Sequence, residues 1–135
     1  MRILIVEQNE EIRDHLVWMF ERNGFIVDQA TDGAMGLSYA LRNKYLMVLT
    51  DIGLSEMCGL TMIKKIRERN LDYPILVYTT RTRWQDKVLG FEAGADDYLC
   101  IPSMPEKIMA RAQRLMLRPN RLRPSDVYEM TTAAA

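Results

Sequence analysis

Five short runs of mostly apolar residues alternate with stretches whose apolar residues recur at helical spacing, and that alternation leaves the chain few ways to fold. The runs cover 2–6, 25–29, 45–50, 74–78 and 97–101, the length of strands and too short for helices. Helical spacing follows each of them: Ile12, Leu16, Met19 and Phe20; Ala34, Leu37 and Leu41; Leu60, Ile63 and Ile66; Val88, Phe91 and Ala95; Ile108, Ala112, Leu115 and Met116. Strict alternation with connections of this length demands crossovers, and therefore an α/β fold with a parallel sheet covered on both faces. The unbroken run Ile3-Leu4-Ile5-Val6 suits a strand buried on both sides. Punctuation agrees: Asn23-Gly24 can end the first helix in a left-handed cap, and Ser103 with Glu106 forms a capping box around Pro105. The pattern stops near Arg118, so 1–118 reads as one domain and 119–135, with Pro119 and Pro124, as a linker or tail.

Composition removes several classes of function. Eighteen Lys plus Arg balance eighteen Asp plus Glu, so no net field draws the chain to nucleic acid or to an anionic membrane. No apolar run approaches the ~18 residues of a membrane span, and Arg2 to Val6 runs straight into Glu7 with no room for a signal-peptide core. The expectation is a cytoplasmic protein. Cys58, Cys100 and His15 are too few to build a structural zinc site, and two thiols make no disulfide framework.

Ligands of open α/β sheets lie outside the carboxyl ends of the strands. There the sequence places Glu7-Gln8-Asn9, Asp51, Thr79-Thr80 and Ile101-Pro102. Asp51 directly after an apolar strand, with Gly53 and Gly59 downstream and Thr79 ending the next strand, resembles the receiver domain of two-component response regulators. The stretch Gly90-Phe91-Glu92-Ala93-Gly94-Ala95-Asp96-Asp97-Tyr98-Leu99 resembles the OmpR/PhoB branch of that family. The resemblance covers Met1 to about Arg118. It implies a flavodoxin-like, doubly wound sheet of five strands in the order 2-1-3-4-5 with five helices. It also implies an aspartate that accepts a phosphoryl group from a histidine kinase with a divalent metal.

Carried over residue by residue, Asp51 matches the phosphoacceptor and Glu7 the first acidic position. Two charged positions of the pocket depart from the pattern. The second acidic position is Gln8, whose amide offers a cation only a neutral oxygen, and the Lys position before the last-strand Pro is Ile101. Glu7, Asp51 and Gly53 remain for a weakly held Mg²⁺; no cofactor is otherwise expected. A phosphoryl group would bring ~1.5–2 negative charges with no ammonium to meet them. Glu7, Gln8, Asn9 and Ile101 thus form a degenerate pocket, and Asp51 has two readings, a residual acceptor or a carboxylate kept for structural hydrogen bonds. Ser55 stands where the family usually has Pro.

Thr79 and Tyr98 match the family's switch pair. Lys87, Asp96, Asp97, Arg111 and Arg118 match charges that join a two-fold homodimer through the fourth helix, fifth strand and fifth helix. Lys107 replaces an acid there and puts a like charge opposite Lys87. Trp84 reads either as an exposed anchor for a partner or as a ring packed along its own helix, and His15 as a surface residue. The ten Met residues read as core filling. Arg114, Arg118, Arg121 and Arg123 form a basic run that the helix C-terminus and a solvated tail explain. The expected function is an atypical receiver domain, not an enzyme. It would act as a regulatory dimerisation module of a transcriptional regulator, reaching DNA only through a winged-helix domain absent from this chain. Two alternatives stay open: a working phosphoacceptor receiver modified on Asp51 by a histidine kinase, and a stand-alone receiver-like protein that binds a kinase or another regulator.

Overall fold

A computed structural model describes residues 1–118; the expected linker or tail at 119–135, with Arg121 and Arg123, lies outside the described residues. The strands are β1 (Arg2–Val6), β2 (Ile26–Ala30), β3 (Met47–Thr50), β4 (Ile75–Thr79) and β5 (Asp97–Cys100). They alternate with α1 (Glu10–Arg22), α2 (Gly33–Arg42), α3 (Gly59–Glu68), α4 (Trp84–Ala93) and α5 (Pro105–Leu117). All strand pairs are parallel, in the order β2-β1-β3-β4-β5. The sheet predicted from the alternation is present, with strand ends moved by one or two residues.

Period-two alternation divides the core into two layers. Leu4 and Val6 of β1, Val48 of β3, and Ile75 and Val77 of β4 pack with α2, α3 and α4; Ile3, Ile5, Met47, Leu49, Leu76 and Leu99 pack with α1 and α5. Phe20, Leu16, Ile63 and Ile66 are fully buried, as the helical spacing predicts.

Two helices pack differently from their predicted stripes. In α2 the buried residues are Gly33, Gly36 and Ala40; of the predicted stripe Leu37 packs half-buried against the same core, and Ala34 is exposed. In α4 they are Gly90 and Ala93, while Val88, Leu89 and Phe91 are 44–48% exposed and Ala95 lies beyond the helix. Small residues let both helices approach closely: a Cβ on Gly36 would stand 2.9 Å from Val6, and one on Gly90 would stand 3.2 Å from the Tyr98 ring. The large apolar side chains of α4 then turn outward. The capping box also differs. Met104 is the N-cap of α5 without a side-chain cap, and the Ser103 hydroxyl donates to the Cys100 carbonyl (2.7 Å). The Asn23-Gly24 stop is as predicted, with Gly24 at φ +89°.

The order of strands places the site. The chain leaves β1 toward β2 on one side and returns to β3 on the other, so the loops after β1 and β3 diverge and leave a crevice at their carboxyl ends. Val6 pairs with Thr50, and the Asp51 N–H donates to the Val6 carbonyl at 3.1 Å. That register sets Glu7 and Asp51 side by side at the mouth of the crevice.

Candidate functional site

Asp51 is half-buried and held from below. Its Oδ1 accepts from the Ile52 N–H (2.7 Å) and the Gly53 N–H (3.4 Å), and its carbonyl accepts from the Thr50 hydroxyl (2.8 Å). Glu7, only 2% exposed, accepts from the Asn9 N–H at 3.0 Å. Burial pushes its carboxyl above the ordinary value, the Asn9 N–H opposes this, and the nearby Asp51 carboxylate adds to the rise. Two acids that repel each other in a partly desolvated cleft are the electrostatic signature of the site.

The other pocket residues are engaged elsewhere. The Gln8 side-chain oxygen accepts from the Ser55 N–H at 3.0 Å, bridging 47 positions to brace the β3–α3 loop. Asn9 is the N-cap of α1, accepting from the Ile12 N–H at 2.9 Å. Ile101 packs against the α1/α5 layer and shares a shallow surface cavity with Ile12, Leu16 and Tyr78; the bond between it and Pro102 is cis. The Arg13 guanidinium donates to the carbonyls of Glu7 (3.0 Å) and Gln8 (3.4 Å). Among the described residues no three His, Cys, Asp or Glu side chains gather where a metal could be held. The oxygen donors at the mouth of the crevice are the carboxylates of Glu7 and Asp51 and the Gln8 amide oxygen, which is already bonded to Ser55.

Thr79 is 1% and Tyr98 7% exposed. Both contact one intervening residue: the Arg81 N–H donates to the Thr79 hydroxyl oxygen (3.3 Å), and the Tyr98 hydroxyl donates to the Arg81 carbonyl (2.7 Å). Burial, with a further push from Asp86, raises the Tyr98 phenol to about 12, so it is a donor at any physiological pH. Arg81 had no place in the sequence reading. Its exposed position in the loop between β4 and α4 gives no signal.

Of the charges expected at a dimer face, Asp96, Asp97, Arg111 and Arg118 are paired within the chain. Asp97 accepts from Arg111 at 3.0 and 2.9 Å and from Arg114 at 3.5 Å. Asp96 pairs with Arg67 (2.9 Å) and Arg118 (3.3 Å). Lys87 and Lys107 are exposed. Trp84 is 70% exposed beside Val88, Leu89 and Phe91, and exposed His15 stacks on Trp18. Cys58 and Cys100 are free thiols. Arg67, which the sequence reading did not single out, donates to the carbonyls of Leu71 (2.7 Å), Tyr73 (2.8 Å) and Gly94 (3.0 Å) and ties the end of α3 to the start of β5.

Comparison with known proteins places this geometry. A family model described as the response regulator receiver domain matches residues 3–113. The chain is 36% identical over 132 residues to the transcriptional regulatory protein DltR of Streptococcus agalactiae serotype III (strain NEM316), covering 94% of this chain and 59% of that one. It is 41% identical over 118 residues to the transcriptional regulatory protein PhoP of Escherichia coli (strain K12), covering 87% and 53%. The chain thus spans little more than half the length of these relatives. Among solved structures, a two-component response regulator from Clostridium difficile aligns with a TM-score of 0.81 at 28% identity, over 87% of this chain and 97% of that one.

Proposed function

The chain belongs to the response regulator receiver family, and from that premise we propose that it is an atypical receiver whose metal-dependent phosphorylation on Asp51 is impaired and which signals by association. The observation that carries the reading is the engagement of the pocket residues. The Gln8 amide oxygen is bonded to Ser55 and Ile101 lies in the α1/α5 layer, so the crevice offers a cation two carboxylates, Glu7 and Asp51, and neither position 8 nor position 101 adds a charge. Fewer anionic ligands lower affinity for a hard divalent ion. In this reading Mg²⁺ is weakly held by Glu7, Asp51 and Gly53. Acetyl phosphate with Mg²⁺, read by intact mass against Asp51→Ala, tests it. A small, Asp51-dependent adduct that grows in a Gln8→Asp/Ile101→Lys double variant is expected; a stoichiometric adduct on the unmodified chain overturns the proposal in favour of a working phosphoacceptor.

The association surface is α4, β5 and α5. Trp84, Val88, Leu89 and Phe91 supply an apolar face of the kind that marks protein contacts, beside Lys87, Asp96, Asp97, Lys107, Arg111 and Arg118. A second copy of this chain is the proposed occupant, through a two-fold contact. Sedimentation velocity of the unmodified chain and of Phe91→Glu checks it: a reversible dimer lost in the variant is expected, and monomers at every concentration in both exclude it. Similarity to transcriptional regulators supports a cytoplasmic role in transcription control, with a histidine kinase as input and DNA reached through a separate domain. No helix among the described residues is long and apolar enough to cross a membrane.

A further inference from the structure

We propose that Arg81 is the cationic contact for an anion carried on Asp51, and that through its backbone the same residue joins that anion to Thr79 and Tyr98. The inference rests on the receiver reading of the pocket and goes beyond it by naming the group that meets the anion. The Arg81 guanidinium lies over Gly53. A Cβ placed on Gly53 would stand 3.7 Å from one Nη of Arg81 and 3.9 Å from its Nε, and the Gly53 N–H itself points at Asp51 Oδ1. The side chain therefore reaches the loop that cradles the acceptor carboxylate.

Availability favours Arg81 over Arg13. Among the described residues Arg81 makes no ion pair, so its donors are open to a ligand. Arg13, on the β1 side of the same crevice, has its Nη1 on the carbonyls of Glu7 and Gln8. A guanidinium presents a planar fork that fits two oxygens of a tetrahedral anion. Its carbonyl and N–H are held by the Tyr98 and Thr79 hydroxyls. Any pull on the Arg81 backbone by a bound anion is thus felt by both switch side chains, and the loop before α4 becomes the link between pocket and signalling face.

The test uses the full chain, with beryllium fluoride as the probe because it adds to a carboxylate oxygen and mimics a phosphoryl group. Binding is followed by the amide resonances of Asp51 and Gly53 in the presence of Mg²⁺. Arg81→Ala is expected to weaken binding by about 10- to 100-fold, the loss of a hydrogen bond to a charged group. Arg81→Lys falls between, and Arg13→Ala changes binding by less than about threefold. In an Ile101→Lys background the Arg81→Ala loss shrinks, because a second cation is supplied. Melting curves without the probe verify that each variant is folded. Equal losses for Arg81→Ala and Arg13→Ala, no loss for Arg81→Ala, or no binding to the unmodified chain each overturn the inference. A stoichiometric acetyl phosphate adduct would instead overturn impaired phosphorylation, and its sensitivity to Arg81→Ala would still support the role of Arg81.

Discussion

Replacing Gly59 by Ala tests whether the acceptor loop is held by close packing of backbone on backbone. Gly59 opens α3, and its N–H donates to the Ile52 carbonyl at 2.8 Å. A Cβ there would stand 2.2 Å from the Asp51 carbonyl oxygen and 2.8 Å from Ile52 Cα. Ordinary C···O contact begins at about 3.3 Å, so α3 and the loop must separate by about 1 Å. Neither side yields easily: the Asp51 carbonyl accepts from Thr50, and its N–H is on Val6. Overpacking of this kind costs ~1–3 kcal/mol, and Ala returns well under ~1 kcal/mol of helix propensity in a first turn. The net loss is about 1–3 kcal/mol, or roughly 3–15 °C in Tm for a chain of this size. Gly53→Ala is the internal control, since its Cβ would meet nothing nearer than 3.7 Å. Thermal unfolding by circular dichroism, with the Asp51 amide shift as local probe, reads both. A Gly59→Ala melt within about 2 °C of the unmodified chain, or a Gly53→Ala loss as large, refutes the reasoning.

Glu7→Gln should raise stability near neutral pH, because Glu7 has a raised carboxyl pKa in the fold. A group of that sign contributes its stability below the unfolded value, near 4.5, and loses it as pH rises through the folded one. The gain over the unmodified chain, read as Tm against pH, should vanish in acid and reach a plateau above the folded pKa; a gain that grows in acid contradicts it. Asn9→Ala should lower stability by ~0.5–2 kcal/mol through loss of the α1 cap while leaving the acetyl phosphate adduct unchanged. A change in adduct yield would place Asn9 in the pocket. Arg67→Lys should destabilise strongly in urea, by ~1–3 kcal/mol for each carbonyl of Leu71, Tyr73 or Gly94 left without a donor.

The sheet and the positions of Glu7, Asp51 and Thr79 were legible because strand ends are announced by hydrophobic runs, and the fold sets ligands at those ends; Tyr98, the second residue of β5, was marked only by the resemblance to the family. Leu37 and Ala95 pack on the core as read, but the rest of the buried faces of α2 and α4 was misread for one physical reason. Their contacts run through Gly33, Gly36, Ala40, Gly90 and Ala93, which carry almost no hydropathic signal, so the larger neighbours drew the predicted stripe. The Gln8–Ser55 bond spans 47 positions, and the reach of Arg81 over Gly53 depends on a rotamer and a missing Cβ. Neither has a local spacing to betray it. Ile101 was correctly read as bringing no charge, but its packing with α1 and α5 follows only from the register of β5 and the loop after it.

The ion pairs on β5 and α5 bear on how two copies would recognise each other. Asp97 already holds Arg111, and Asp96 already holds Arg118, within one chain. A two-fold contact built by exchanging these arginines between copies trades each internal bridge for an external one and leaves their number the same. The exchanged bridges then add no ionic-strength dependence of their own, unlike a contact that creates new bridges. The strength of self-association would come instead from drying the outward face of α4, and would carry the negative heat-capacity change of apolar burial.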